Sequence, residues 1–121
     1  MSQAALDIFG ELLITRVRDE AISDWNMIID GRMKDDASAR VREALAIFTP
    51  EQKSIVLSLI PQVVDTVLHH LLWTLEQYKN IRVGVTTDTG DVPNLKEISD
   101  GLAGELYSEN GWISRFSKEK G

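Results

Sequence analysis

The 121-residue sequence contains no cysteine. This absence excludes disulfide bonds, a thiolate nucleophile and the cysteine-rich kind of zinc site. A chain without cysteine suits a reducing compartment, and no basic N-terminal region precedes an apolar stretch as in a secretory signal. No segment approaches the roughly 18 consecutive apolar residues that a membrane span needs. We therefore expect a cytoplasmic protein.

The chain is also short of positive charge. It has 13 Lys and Arg against 19 Asp and Glu, a formal charge of −6 and an isoelectric point near 4.8. Affinity for phosphate backbones and anionic lipid headgroups comes largely from clustered Lys and Arg. We expect neither nucleic acid nor a membrane as a partner.

Recognisable catalytic and nucleotide-binding motifs are missing as well. No serine stands in a nucleophile elbow, no HExxH occurs, and no dinucleotide fingerprint follows a strand. The glycine-containing segment from Ser99 to Trp112 does not fit a phosphate-binding loop, because Gly104 is followed by the acidic Glu105 rather than by a lysine. The sequence predicts no catalytic residues and no cofactor.

Linkers and repeats are absent too. No stretch rich in Pro, Gly or Ser divides the chain, and 121 residues suffice to bury roughly two thirds of the surface of the unfolded chain. We predict a single compact domain over residues 1–121.

What the sequence does contain is a well-marked long helix from Thr49 to Asn80. Thr49 can cap its start, Pro50 stands where a missing N–H is harmless, and Gln52 can complete a capping box. Pro61 inside the segment predicts a kink or a break into two tandem helices.

Helical periodicity divides this segment into an apolar and a polar side. The apolar side predicts the core, and the polar side should face water. The first comprises Val64, Val67, Leu68, Leu71, Leu75 and Tyr78, and the second Gln62, Asp65, Thr66, His69, Glu76, Gln77 and Asn80.

Two further helices precede it. From Ser2 to Asp30 apolar residues recur every three or four positions, with Gly31 as the terminator. The stripe comprises Leu6, Phe9, Leu13, Val17, Ala21, Trp25 and Ile28. Such a helix would be about 43 Å long, so a break near Ser23 and a two-helix hairpin are both open. A shorter helix capped by Asp35 or Asp36 should then bury Ala37, Val41, Leu45 and Phe48.

The last third predicts a β-hairpin and a final helix. Apolar residues alternate from Ile81 to Val85, turn-forming residues follow at 88–91, and Pro93 confines the return strand to an edge. A two-stranded ribbon is marginal alone, so it should lie against the helices or pair with a second copy. Asn94 and Glu97 resemble a capping box. It precedes a three-turn helix bearing Leu95, Ile98, Leu102 and Leu106, after which Asn110 and Gly111 should allow Trp112, Ile113 and Phe116 to fold back.

These patterns together predict a mainly α fold. We expect four to five helices in a single domain with one small β-hairpin near the C-terminal third.

The best-placed metal ligands are Asp65 and His69, four residues apart on one helical face. They could hold a metal if other elements supplied carboxylates such as Glu97 and Asp100. The alternative, which we favour, is an ordinary side-chain pair on a solvated face. We therefore predict no metal and retain Asp65 and His69 as the candidates.

Trp73 is the unusual residue of the long helix, because it lies with the polar residues. It could bind a partner together with His69 and Glu76, since tryptophan is enriched at interface hot spots. We expect instead that the hairpin or the C-terminal segment covers Trp73, and that Trp25 and Trp112 are buried.

The sequence therefore favours a small acidic protein without enzymatic activity. We expect a protein-interaction module, an adaptor, inhibitor or immunity-like protein of the kind known from bacteria, with self-association as an option. A helical metal-dependent enzyme using Asp65 and His69 is one alternative. A structural component of a phage or mobile element is another.

Overall fold

The computed structural model describes residues 2–119 and confirms the mainly α fold. It is 66% helical, with four helices and one two-stranded antiparallel hairpin within the described part of the chain. The first helix runs continuously from Ser2 to Ile29 as three segments: α1 (Ser2–Leu12), a π-helical turn (Leu13–Arg18) and α2 (Asp19–Ile29). Gly31 follows with a φ of +80°, so the predicted terminator is confirmed. The predicted break near Ser23 and the helical hairpin are both wrong.

The π-helical turn changes which residues face the core. The backbone N–H of Asp19 bonds to the carbonyl of Ile14, five residues back instead of four. One extra residue in a turn rotates everything after it by about 100°. As a result Arg18 and Ile22 are buried, whereas Val17 and Trp25 of the predicted stripe are exposed. The predicted face is correct before the turn and wrong after it.

Helix α3 (Asp36–Ala44) begins as predicted. Asp35 is the N-cap, and its carboxylate accepts hydrogen bonds from the backbone N–H and the hydroxyl of Ser38. These bonds lower the pKa of Asp35, the Ser38 hydroxyl having the largest effect. The predicted buried stripe is matched in part: Val41, Leu45 and Phe48 are half-buried, whereas Ala37 is exposed and Ser38 is buried in its place.

Helix α4 (Pro50–Gln77) is the longest element. The reciprocal Thr49–Gln52 capping box and the first-turn proline are both present, so the predicted start is confirmed. The helix continues through Pro61, and the tandem-helix alternative is wrong. Because α4 packs on α2 and the π-helical turn, tertiary contacts hold it together where Pro61 removes a backbone donor.

The buried side of α4 is rotated from the predicted one. Leu68 and Leu72 are the fully buried leucines, and Val64 and Leu75 are partly buried against the core. Val67, Leu71 and Tyr78, predicted to face the core, are exposed by 62, 43 and 55% respectively. The predicted core face is therefore right for half its members.

The hairpin comprises β1 (Val85–Thr87) and β2 (Gly90–Val92), with Val85 paired to Val92 and Thr87 to Gly90. It is shorter than predicted, because residues 81–84 are irregular. Its turn is stabilised by the Thr87 hydroxyl, which donates to the carbonyl of Gly90 over 2.7 Å. Val85 and Val92 pack against the core, so the hairpin lies against the helices.

The predicted three-turn helix after Asn94 is wrong. Two 3₁₀ turns replace it, Leu95–Ile98 and Ala103–Leu106, and Asn94 makes no side-chain cap. Ser99 interrupts the helical path by bonding through its hydroxyl to the N–H of Gly101 and to Glu105. The leucines at 95, 102 and 106 are nevertheless buried, as predicted.

The chain then folds back as predicted in α5 (Trp112–Phe116), although the left-handed residue is Ser108 rather than Asn110 or Gly111. Trp112 is 1% exposed and packs edge-on against Phe9, with ring centroids 5.8 Å apart. Its indole lies so close to Gly10 that a Cβ there would be 2.5 Å from the ring. Trp112 thus closes the core over α1.

Candidate functional site

The inner side of α4 carries a part-buried ion pair between Asp65 and the buried Arg18. Arg18 is 2% exposed, and its Nε and Nη2 donate to the two carboxylate oxygens of Asp65 over 2.6 and 3.3 Å. This fork matches the geometry of a carboxylate. The expectation that Asp65 faces water is therefore wrong, because the π-helical turn brings a buried cation to it.

The third guanidinium nitrogen of Arg18, Nη1, makes hydrogen bonds to the C-terminal end of the described chain. Nη1 donates to Asp19, to the hydroxyl of Ser117 over 2.8 Å and to the carbonyl of Glu119 over 2.6 Å. Asp19 accepts in turn from Ser117 and from the backbone N–H of Lys118. The network joins the long first helix, α4 and the C-terminal segment, so its evident role is structural.

His69 lies one turn after Asp65 and contacts Tyr107, with 3.1 Å between its Nδ1 and the tyrosine hydroxyl. Burial, and secondly the negative charge of Asp65, raise the pKa of Tyr107 above its ordinary value of 10.0. The hydroxyl is therefore protonated at neutral pH and can donate to the imidazole.

Asp65 and His69 thus lie near each other as predicted, but their polar atoms contact Arg18 and Tyr107. Within residues 2–119, no group of three or more His, Cys, Asp or Glu side chains is arranged to hold a metal ion. Asp100 lines a shallow pocket of about 300 Å³ with Glu105 and two glycines; Glu97 does not line it. The two acids proposed as additional ligands are therefore not brought together there.

Glu76, the other polar residue proposed for partner binding, is engaged within the chain. Its carboxylate accepts a hydrogen bond from the backbone N–H of Leu102 over 2.8 Å. Glu76 thereby holds the segment between the two 3₁₀ turns against α4.

Trp73 is 49% exposed and Trp25 37% exposed, so the expectation that both are buried is wrong. Within residues 2–119, about half of Trp73 remains uncovered. The expectation for Trp112 is confirmed. The tryptophan that the sequence places among polar residues is the most exposed of the three.

The outer side of α4 is apolar along most of its length. Leu59, Val63, Val67 and Leu71 succeed one another every four residues and are 43–62% exposed; we refer to them as the aliphatic strip. Successive members differ by about 40° around the axis, so all four lie within a sector of about 120°. Ile55, also exposed, precedes Leu59 by four residues and extends the strip at its N-terminal end, whereas the exposed Trp73 lies about 160° around the helix axis from Leu71, on the neighbouring polar face.

No charge interrupts the strip. Between Lys53 and Glu76 the sole charged residue is Asp65, which the ion pair holds on the inner side. The exposed polar neighbours are uncharged or weakly basic: Gln62, Thr66 and His70. Soluble monomers seldom expose contiguous apolar patches above a few hundred Å². The aliphatic strip is thus the surface of this molecule on which a binding partner is most expected.

By length and composition alone, α4 could cross a membrane, and on that criterion the expectation of no such segment is wrong. Core helices of soluble proteins pass the same test, but they are mostly buried. Here 17% of the most apolar 18-residue window is buried. The finding is weak support for a span, but it underlines how much of α4 is uncovered.

A cleft of about 660 Å³ lies between the first helix and the C-terminal segment. It is lined by side chains of both charges, including Arg16, Glu20 and Arg115. Arg16 pairs with Glu20, and Arg115 pairs with Asp7. With four acidic and three basic side chains in its lining, the cleft carries no strong preference for an anion or a cation.

Sequence reasoning missed Arg18, Tyr107 and the aliphatic strip. A usable signal existed only for the strip: from Ile55 to Leu75 apolar residues cover about 260° around the axis of α4, far more than the roughly 100° stripe of a helix with one buried side. Comparison with protein-family models, curated proteins and solved structures found no match to this chain, so the function is argued from its own residues.

Proposed function

We propose that this protein is a non-enzymatic interaction module that binds a protein surface through the aliphatic strip of α4. The observation that carries the proposal is the exposure of four consecutive i, i+4 aliphatic side chains on a rigid, well-capped helix. Amphipathic helix faces of this kind are a common means of protein recognition. Trp73, half exposed on the neighbouring polar face of α4, offers a separate contact of a residue type enriched at interface hot spots.

A protein partner suits this surface better than lipid or nucleic acid. Helices that lie on membranes carry Lys and Arg along their polar side, whereas α4 has none between Lys53 and its last residue, Gln77. The formal charge of −6 opposes approach to anionic headgroups and phosphate backbones. A protein partner with an uncharged surface requires no basic residues on α4 and is not repelled by the negative charge of the chain.

The polar residues that could support chemistry are engaged in internal contacts. Both oxygens of Asp65 accept from Arg18, and Glu76 accepts from Leu102. A metal site using Asp65 and His69 would have to release the Arg18 ion pair first. Elemental analysis of untagged protein tests this alternative: near-stoichiometric metal, lost in His69→Ala, would favour an enzyme over an interaction module.

The interaction itself is tested by placing a charge in the strip. Val63→Glu should abolish binding of any protein, including a second copy, that is recovered with the wild type, because burying an unpaired carboxylate is costly. Ile47→Glu is the matched control, since Ile47 is 86% exposed and lies outside α4. Equal recovery with Val63→Glu and wild type would contradict the proposal. Trp73→Ala tests whether Trp73 takes part in the contact, and unchanged binding would show that it does not.

A further inference from the structure

We infer that the partner of the aliphatic strip is the same strip of a second copy, packed antiparallel about a twofold axis between Val63 and Val67. This inference rests on the proposed function and names its partner. The aliphatic strip provides the geometry, the area and the absence of charge that such a dimer needs.

The geometry follows from the spacing of the strip. A twofold axis at the height of residue 65 sets each residue opposite the one equally far on the other side of it. Leu59 then faces Leu71 of the second copy, and Val63 faces Val67 of the second copy. Leucine meets leucine at both ends and valine meets valine at the centre, so the strip matches itself in size along its full length. A parallel arrangement would instead align each residue with its own copy.

The available area reaches what a specific dimer needs. The four strip residues and Ile55 are 43–62% exposed. Together they offer roughly 500 Å² from each copy, or about 1,000 Å² for the pair, which is the least that a specific protein interface buries. Since the interface core would be aliphatic with Gln62, Thr66 and His70 at its edge, it has the usual apolar centre and polar rim.

Electrostatics also favour this face and this orientation. Two copies of a chain with charge −6 repel each other, and the uncharged strip is where they can meet without opposing carboxylates. Antiparallel packing sets the positive N-terminal end of one α4 beside the negative C-terminal end of the other. Raising the salt concentration should therefore strengthen association, because it screens the repulsion between the copies without weakening the apolar contact.

The first test is the concentration dependence of mass by sedimentation equilibrium and light scattering. We expect a monomer–dimer equilibrium for the wild type and for Ile47→Glu. Val63→Glu should weaken it by a factor of roughly 100 or more, because each carboxylate would be buried beside Val67 of the second copy. Circular dichroism establishes that the variant is folded. A wild type that stays monomeric at high micromolar concentration overturns the inference.

Orientation is tested by cysteine cross-linking, which has no background because the chain contains no cysteine. Leu59→Cys and Leu71→Cys are 12 residues, or about 18 Å, apart along the helix. Under mild oxidation, a mixture of the two single variants should form the mixed disulfide dimer, and neither variant alone should cross-link. Disulfides within each single variant, and no mixed disulfide between the two variants in the mixture, would indicate parallel packing and overturn the antiparallel arrangement.

Failure of this inference differs from failure of the proposed function. A monomeric wild type that binds a different protein through the strip, sensitive to Val63→Glu and not to Ile47→Glu, would refute self-association alone. A monomer that floats with neutral phosphatidylcholine vesicles would identify lipid as the occupant and refute both. A wild-type dimer that Val63→Glu leaves intact would show that the copies meet elsewhere and would overturn the inference as well.

Discussion

The two sides of α4 differ sharply although they are built from similar residues. Leu72 is fully buried against the first helix, and its neighbour Leu71 is 43% exposed. The inner side also holds Asp65 and Glu76, two acids that a hydropathy pattern assigns to water. The comparison teaches that the inward side of this helix is set by the groups available to meet it. A buried Arg18 and the backbone of Leu102 make the acidic side the inner one.

The largest effect should come from removing the cation on the inner side. Arg18→Met leaves Asp65 and Asp19 without their positive partner in a largely buried site, and we expect a loss of about 3–5 kcal/mol in the free energy of unfolding. Urea denaturation measures it. Arg16→Met is the matched control: Arg16 makes an exposed pair with Glu20, so the change should be below about 1 kcal/mol. Similar losses of unfolding free energy in both variants would show that the Arg18 pair stabilises the fold no more than the exposed Arg16 pair does.

Truncating adjacent leucines compares the two sides directly. Leu72→Ala should lower the free energy of unfolding by about 2–5 kcal/mol, because it leaves a cavity in the core. Leu71→Ala should cost the monomer below about 1 kcal/mol and should instead weaken the proposed self-association. Denaturation at low protein concentration, together with sedimentation, separates the two effects. A large loss of monomer stability in Leu71→Ala would mean that the strip is covered within the chain.

The start of α4 lies on neither side of the helix, and a change there should affect the free energy of unfolding less. Thr49→Ala removes the side-chain cap and should cost about 1 kcal/mol. Thr49→Ser retains a hydroxyl able to cap and should be close to wild type in the same denaturation experiment. If the alanine variant were also unchanged, packing alone would position the start of the helix.

The smallest effect concerns Tyr107, which contacts α4 through His69. In a Tyr78→Phe background Tyr107 is the remaining tyrosine, and its absorbance should titrate with a pKa above 10.0. Asp65→Asn should lower that pKa part of the way, since burial is the larger cause and Asp65 the smaller. Because the pKa is raised in the folded state, the unfolded chain ionises first. The stability that this tyrosine contributes is complete below pH 10 and falls as pH rises through the folded value.

Locally encoded features were predictable from the sequence. The capping residues Asp35 and Thr49, the terminating Gly31 and the turn between β1 and β2 each depend on a few neighbouring residues. Their hydrogen bonds and backbone angles are satisfied within one turn, so tertiary packing does not override them. The mainly α fold with one hairpin follows from their sum.

The candidate site was not predictable in the same way. The aliphatic strip is identified only once the inner side of α4 is known, and Val67 and Leu71 were assigned to the core. Likewise the leucines at 95, 102 and 106 have helical spacing. The hydrogen bond from the Gly101 N–H to the Ser99 hydroxyl nevertheless divides that segment into two short 3₁₀ turns. Spacing indicates which residues are buried, but it does not specify the backbone path between them.

The amino-acid order alone decided where α3 and α4 begin and where the first helix ends, because caps, prolines and glycines act over three or four residues. Only the folded arrangement decided which way each helix faces. A single extra residue in the turn at Leu13–Arg18 rotates the second half of the first helix and buries Arg18. That buried charge then requires a carboxylate, so Asp65 turns inward and the aliphatic strip is left outside. Rotation about a helix axis changes no local hydrogen bond, and it is therefore set by the partners that the helix meets.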